Sequence, residues 1–213
     1  RSNAYRKLFR SGLVLFLLFV GYGLFLINRS GSGGSGVPST APLPVLRTIS
    51  SMDLVDQEGE PVNLQTFRGQ PWFANIIFTR CPGPCARMTQ KMRQLQEALP
   101  AEASEVQLVS LTTDPDFDTP EVLSQYARKF QVDTRSWKFL TGTKEEIVRV
   151  STQEWLLVML EKGEAERESP NDIFLHSTLT VLMDGLGRIR GTYEILEEGQ
   201  LEEALADLQR LLQ

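Results

Sequence analysis

Residues 72–85 read Trp72-Phe73-Ala74-Asn75-Ile76-Ile77-Phe78-Thr79-Arg80-Cys81-Pro82-Gly83-Pro84-Cys85, an almost continuous apolar run that ends in a pair of cysteines. An uncharged stretch this rich in aromatic and β-branched side chains predicts a central strand over 72–78, buried on both faces. Pro82 and Pro84 fix φ at two of the three positions between the cysteines, while Gly83 supplies the turn. Pro84 suits the first position of a helix, which would set both thiols near a helix N-terminus. There the positive end of the helix dipole, together with Arg80, favours thiolate over thiol. Cys81 and Cys85 are the chain's two cysteines, and His176 is its single histidine. Two soft thiolates and one imidazole form a donor set that copper, above all Cu(I), favours. A spacing of four also permits a disulfide, because one helical turn separates Cα atoms by roughly 6 Å. Low thiol pKa serves metal binding and disulfide exchange alike. The residues alone therefore leave three readings open: a metal site, a redox dithiol or a lone disulfide.

Working outward, Met88, Met92, Leu95 and Leu99 recur at helical spacing after the cysteine loop, and Pro100 stops that helix. The spacing makes Met88 and Met92 core residues rather than thioether ligands. Val106-Gln107-Leu108-Val109-Ser110-Leu111 predicts a second strand, and Pro120 to Phe130 a helix with Val122, Tyr126 and Phe130 on one face. Trp137-Lys138-Phe139-Leu140 predicts a short strand, followed by a helix from Lys144 to about Leu160. Residues 179–183, 184–187 and 188–193 predict a strand, a turn and a strand. A closing helix has Leu201, Leu205, Leu208 and Leu212 in line. Upstream, Met52-Asp53-Leu54-Val55-Asp56 and Pro61-Val62-Asn63-Leu64 flank Gln57-Glu58-Gly59-Glu60 and predict a β-hairpin. That order is the order of an α/β thioredoxin-like sandwich with an N-terminal β-hairpin.

Two strands joined by a helix are expected to be parallel neighbours with a right-handed crossover, and ligands bind beyond the carboxyl ends of such strands. Cys81 lies at that edge. If strand 179–183 runs antiparallel to strand 72–78, His176, three residues before it, comes to the same edge. Asp114, Asp116 and Asp118 resemble a fragment of a calcium loop but lack its glycine and distal glutamate. They read as a strand-to-helix turn in which Asp118 or Thr119 caps the helix at Pro120, and secondarily as a partner contact. Residues 161–172 read as a solvated acidic loop leading into a histidine that is mobile without metal.

The N-terminal part is different in kind. Arg10 and Arg29 bracket eighteen uncharged residues, 11–28, which as a helix would reach about 27 Å, near the roughly 30 Å of a hydrocarbon core. Arg6, Lys7 and Arg10 precede the run, predicting a single transmembrane helix with the rest of the chain outside the cytoplasm. A cleaved signal peptide shares these features, but no A-x-A-like site follows. Residues 1–10 combine a cloning remnant, Ser2-Asn3-Ala4, with the basic flank. Residues 29–45 form a Gly/Ser/Pro-rich tether, engineered or natural, and 46–213 the folded domain. The first thirty residues carry five basic and no acidic groups, so the overall net charge of −5 leaves −10 for residues 31–213. An acidic domain is repelled by nucleic acid, and two cysteines exclude a disulfide-stapled fold.

Phe78-Thr79-Arg80-Cys81-Pro82-Gly83-Pro84-Cys85, Asp114-Pro115-Asp116-Phe117-Asp118-Thr119-Pro120 and Leu175-His176-Ser177-Thr178, in that order, strongly resemble the Sco/SenC family over about residues 48–212. The resemblance implies a membrane-anchored copper metallochaperone that holds one copper ion, Cu(I) or Cu(II), through Cys81, Cys85 and His176. It implies, as partners, the copper-bearing subunit of cytochrome c oxidase or other copper chaperones. The implied location is a bacterial inner membrane with the domain on the periplasmic side, or the mitochondrial inner membrane in a eukaryote. A thiol–disulfide oxidoreductase working through Cys81 and Cys85, which would reduce the target's cysteines before metallation, is the alternative. A copper or redox sensor is a third. Thioredoxins use C-x-x-C, and no proline directly precedes Ser177 where their cis-proline would sit.

Overall fold

The strand expected at 72–78 is an interior strand of a six-stranded mixed sheet. In the computed structural model, which describes residues 41–100, 105–171 and 173–213 (backbone alone at Leu175 and His176), it spans Trp72–Ile77 and every side chain in it is buried. The strands are β1 (Arg47–Thr48), β2 (Asp53–Val55), β3 (Pro61–Asn63), β4 (Trp72–Ile77), β5 (Gln107–Thr112), β6 (Trp137–Leu140), β7 (Met159–Glu161), β8 (Phe174–His176), β9 (Leu179–Met183) and β10 (Arg188–Glu194). The helices are α1 (Cys85–Ala98), α2 (Pro120–Phe130), α3 (Lys144–Val148) and α4 (Gln200–Leu211). The main sheet runs β1-β10-β9-β4-β5-β6; β2-β3 and β7-β8 are separate two-stranded ladders. β4, β5 and β6 are parallel, whereas β9 is antiparallel to β4 and β10 to β9. This is the mixed α/β thioredoxin-like architecture, with its N-terminal hairpin at β2-β3.

Alternation along the strands sorts the core into two layers. On one face the Trp137 indole N–H donates to Ser110 Oγ at 3.0 Å, and the Ser110 hydroxyl donates to Asn75 Oδ1 at 2.7 Å. Thr180 on that face reaches Met92 Sδ of α1 at 3.7 Å, so Met88 and Met92 are core residues as expected. On the other face Trp72 stacks on Phe67 at 4.6 Å and meets Trp155 edge-on at 5.7 Å. Each such aromatic contributes about 1.5–3 kcal/mol of burial before entropy is charged against it. Beyond β9, a bulge between Ile189 and Gly191 accompanies a close approach: a Cβ at Gly191 would collide with the Tyr193 hydroxyl, which donates to Asp207 of α4 at 3.0 Å.

Four expectations need correction. The helix expected to reach Leu160 ends as α3 at Val148 and widens into a π-type turn over Arg149–Glu154. There the Ser151 and Thr152 hydroxyls donate back to Ile147 and Val148 carbonyls, and Leu156 adopts a left-handed φ of 62°. Short hydroxyl side chains that bond their own turn loosen a helix. The apolar run 155–160 then leaves the helix, and its last two residues enter β7, which pairs with β8. On α2 the buried residues are Leu123, Tyr126 and Ala127 rather than Val122, and on α4 Leu212 is exposed while Ala204 and Leu208 are buried. Pro84 is the N-cap of α1 rather than its first helical residue.

Packing begins before the expected end of the tether. Leu43 is buried, and Arg190 donates to the carbonyls of Leu43 and Pro44. The anchor expected at 11–28, the flank at 1–10 and the tether up to residue 40 lie outside the described residues. Among the described residues no helix is long and apolar enough to cross a membrane.

Candidate metal and thiol site

β4 and β5 are parallel, so both point their carboxyl ends at one edge, and β4 delivers the chain there through Phe78, Thr79 and Arg80 to Cys81. The Cys81 amide donates to the Phe78 carbonyl at 3.2 Å, closing a turn that folds the loop back toward α1. Cys85 is the first residue of α1 and is 1% exposed, whereas Cys81 is half-buried. Both are thiols, with no disulfide between them. Each sulfur accepts a backbone N–H: Cys85 Sγ from Phe78 at 3.5 Å and Cys81 Sγ from Gly83 at 3.3 Å. The two side chains are in hydrogen-bonding contact with each other.

The expectation of an easily ionised pair does not hold for Cys85. Burial pushes its thiol far above the ordinary cysteine range, and contact with the Cys81 thiol adds to the rise. Desolvation of a charge inside the core outweighs the modest field of a helix N-terminus. Arg80, expected to support the thiolates, is otherwise engaged: its Nε donates to Asp114 Oδ2 at 2.7 Å and its guanidinium lies 4.6 Å over the Phe117 ring.

The antiparallel β4/β9 pairing sets Asn75 opposite Thr180 and Trp72 opposite Met183. The N-terminal end of β9 therefore lies at the edge where β4 ends. The backbone of His176 closes β8, opposite Met159, and the next amide, Ser177, donates to the Val158 carbonyl at 2.8 Å. Phe174, two residues before His176, meets Phe78, three residues before Cys81, with ring centroids 5.5 Å apart. The strand carrying His176 and the loop carrying the cysteines thus approach one another. The His176 imidazole lies outside what is described, as does Asp172 in the preceding loop.

The acidic loop divides its work differently from the sequence expectation. Thr119 is the cap, its hydroxyl accepting from the Val122 amide at 3.4 Å with Pro120 opening α2. Asp118 points inward, fully buried, and accepts from the Thr79 amide at 3.0 Å and from the hydroxyls of Thr79 and Thr112. Burial raises its pKa, with the hydrogen bonds opposing the rise. Sequence reasoning missed this inward role. The available signal was that Thr119 already sits directly before Pro120, where a cap belongs. Under Cys85, the Thr89 hydroxyl donates to the Cys85 carbonyl at 3.0 Å and meets the Tyr126 hydroxyl at 2.8 Å. Burial pushes the Tyr126 phenol above its ordinary range. A hollow of about 210 Å³ lies at the other end of the sheet, lined by Phe67, Trp72 and Leu186, and has neither thiol nor carboxylate in its wall.

A thioredoxin-like sheet with a C-x-x-x-C dithiol at its carboxyl edge defines a class of thiol- and metal-handling domains. Within it, this chain belongs to the SCO1/SenC family, whose model matches residues 42–213. It is similar to a SCO1 protein homolog of Bacillus subtilis (strain 168), 26% identical over 186 residues that cover 87% of this chain and 92% of that protein. It is similar in structure to Bradyrhizobium japonicum ScoI with copper bound (TM-score 0.65, 25% identity, 78% of this chain and 99% of that one). BsSco, a member of the Sco family of cytochrome c oxidase assembly proteins in which a disulfide switch was identified, is also similar (TM-score 0.68, 26% identity, 81% and 98%).

Proposed function

We propose that this chain is a membrane-anchored copper metallochaperone that carries one copper ion on Cys81, Cys85 and His176 and delivers it to the binuclear copper site of cytochrome c oxidase. The observation that carries the reading is the convergence at one sheet edge of two adjoining thiols and the strand that ends at His176, tied by the Phe78–Phe174 contact. Two sulfurs and an imidazole are soft donors that fit Cu(I), with added oxygen ligands for Cu(II). A three-coordinate site with one half-exposed sulfur leaves room for an incoming thiolate of another protein, as transfer requires. The copper-bound ScoI relative and the oxidase-assembly role of the BsSco relative support the errand. The basic-flanked apolar run at 11–28 supports an inner-membrane anchor with the domain outside the cytoplasm.

The test is His176→Ala, read by metal analysis and copper competition. The variant should keep its fold and both thiols while copper affinity falls by at least about tenfold. Stoichiometric binding at unchanged affinity would remove His176 from the site.

A second reading is favoured by the unequal exposure of the two cysteines: a reductase of the target's cysteines before metallation. Cys81 would attack one sulfur of a target disulfide and release the other as a thiol. Cys85 would then attack Cys81, freeing the second target thiol. Two electrons and two protons pass to the target, and a Cys81–Cys85 disulfide remains. Fast, metal-independent turnover of a disulfide substrate would favour this reading over the first.

A further inference from the structure

The segment between β4 and Cys81 is gripped twice by the 114–118 loop. The outer grip, Arg80 on Asp114, is part-exposed. The inner one is Asp118, whose buried carboxylate gathers three donors: the Thr79 amide, the Thr79 hydroxyl and the Thr112 hydroxyl. Thr112 ends β5, and Thr79 stands two residues before Cys81. One side chain therefore fastens the approach to Cys81 onto the neighbouring strand. Asp118 is itself held, its amide donating to the Asp114 carbonyl at 2.8 Å, and α2 starts two residues later. Cys85, by contrast, is fixed by α1 and the core.

We propose that Asp118 is a positioning residue for the dithiol: by holding Thr79 it keeps the half-exposed Cys81 sulfur against the fixed Cys85 sulfur. Two groups held in reacting geometry have an effective concentration far above that of tethered but wandering ones. A buried carboxylate with donors on both of its oxygens is suited to this, because releasing a donor weakens the pairing of a charge held inside the core. The same geometry presents both sulfurs to one copper ion, so the inference deepens the metallochaperone reading and rests on Cys81 and Cys85 being its working pair.

The experiment uses the full chain and two readouts. The first, free of metal, is the dithiol–disulfide equilibrium of Cys81 and Cys85 in glutathione buffers. The second is copper affinity by chelator competition. Asp118→Ala should weaken disulfide formation by at least about tenfold through lost effective concentration. Asp118→Asn should recover most of it, since its Oδ1 still accepts the Thr79 amide and the threonine hydroxyls can rotate to accept from its Nδ2. If Asp118→Ala does not fold, Thr79→Val removes one arm only and should shift the equilibrium in the same direction by a smaller factor. General destabilisation lowers the melting temperature of both redox forms but does not move the equilibrium between them, nor does it predict rescue by asparagine. A folded Asp118→Ala, or in its place Thr79→Val, with an equilibrium within twofold of the parent overturns the proposal whatever copper does. Failure of the parent chain to bind copper counts against the metallochaperone reading and leaves the glutathione readout to decide Asp118.

Discussion

Cys81 and Cys85 are four residues apart and chemically unequal, because one lies on a turn and the other enters a helix that packs on the core. Cys85 is shielded from water and its thiol is held protonated by burial, whereas Cys81 is half-exposed. Thiolate fraction and access both control alkylation. Limiting iodoacetamide followed by peptide mapping should therefore modify Cys81 at least about tenfold faster than Cys85; equal rates would mean that α1 does not protect its first residue. The asymmetry was not legible in the sequence, since proline and glycine spacing describes the turn but not which sulfur the core covers. The reverse holds for Met88 and Met92, whose helical spacing sufficed to assign them to the core.

At the scale of elements, the β7-β8 ladder is the addition that the sequence did not announce. Residues 155–160 form a continuous apolar run, and periodicity alone does not separate helix from strand in such a run. The side chains decide it afterwards: Trp155, Leu157 and Met159 are buried while Val158 and Leu160 are exposed, a period of two. The ladder pairs only three residues a side and is joined by the exposed 161–171 loop, pinned by Lys144 on Glu161 at 2.9 Å. A ladder this short, exposed at Leu160 and Glu161, lies at the low end of local stability. Copper loading should therefore slow amide exchange at 174–177 markedly, while β4 and β5 stay unchanged. Equal protection of the metal-free and loaded forms would show that His176 is already fixed in place. The cap of α2 teaches the same lesson on a smaller scale: Thr119 was legible from Pro120, and the inward turn of Asp118 was not, because its donors come from Thr79 and Thr112.

Over the folded domain as a whole, the sheet separates two ends. The cysteines and β8 lie where β4 and β5 finish; the chain enters at the opposite end, where β1 pairs with the start of β10. That entry is fastened by Asp184, which accepts from Arg188 Nε at 2.7 Å and Arg190 at 2.8 Å, while Arg190 also holds the carbonyls of Leu43 and Pro44. Burial pushes Asp184 up, but the hydrogen bonds from Arg190, Arg188 and the Leu186 amide outweigh it and hold the carboxyl below its ordinary value. A depressed carboxyl pKa contributes stability that is complete above the unfolded value, near 4, and is lost as pH falls through the folded one. Asp184→Asn should thus lower stability at neutral pH by on the order of 3 kcal/mol, with the difference from the parent shrinking below about pH 4. Denaturant titrations at the two pH values check this, and a pH-independent difference would assign the loss to packing alone.

Local pattern in the sequence determined which segments are strands and helices wherever the period was strong: the uncharged run that became β4, the methionine stripe of α1, the strand-turn-strand of β9 and β10. It also supplied the donors that the proposed copper site would use, since two cysteines and one histidine are a matter of composition. Tertiary structure alone decided that β9 runs antiparallel to β4, which sulfur is buried, and that Asp118 clasps the approach to Cys81 instead of capping α2. Each of these depends on groups far apart in the chain, which hydrophobic periodicity and spacing do not report. Desolvation and long-range pairing are properties of the packed core, and they exist only once the sheet has closed over its helices.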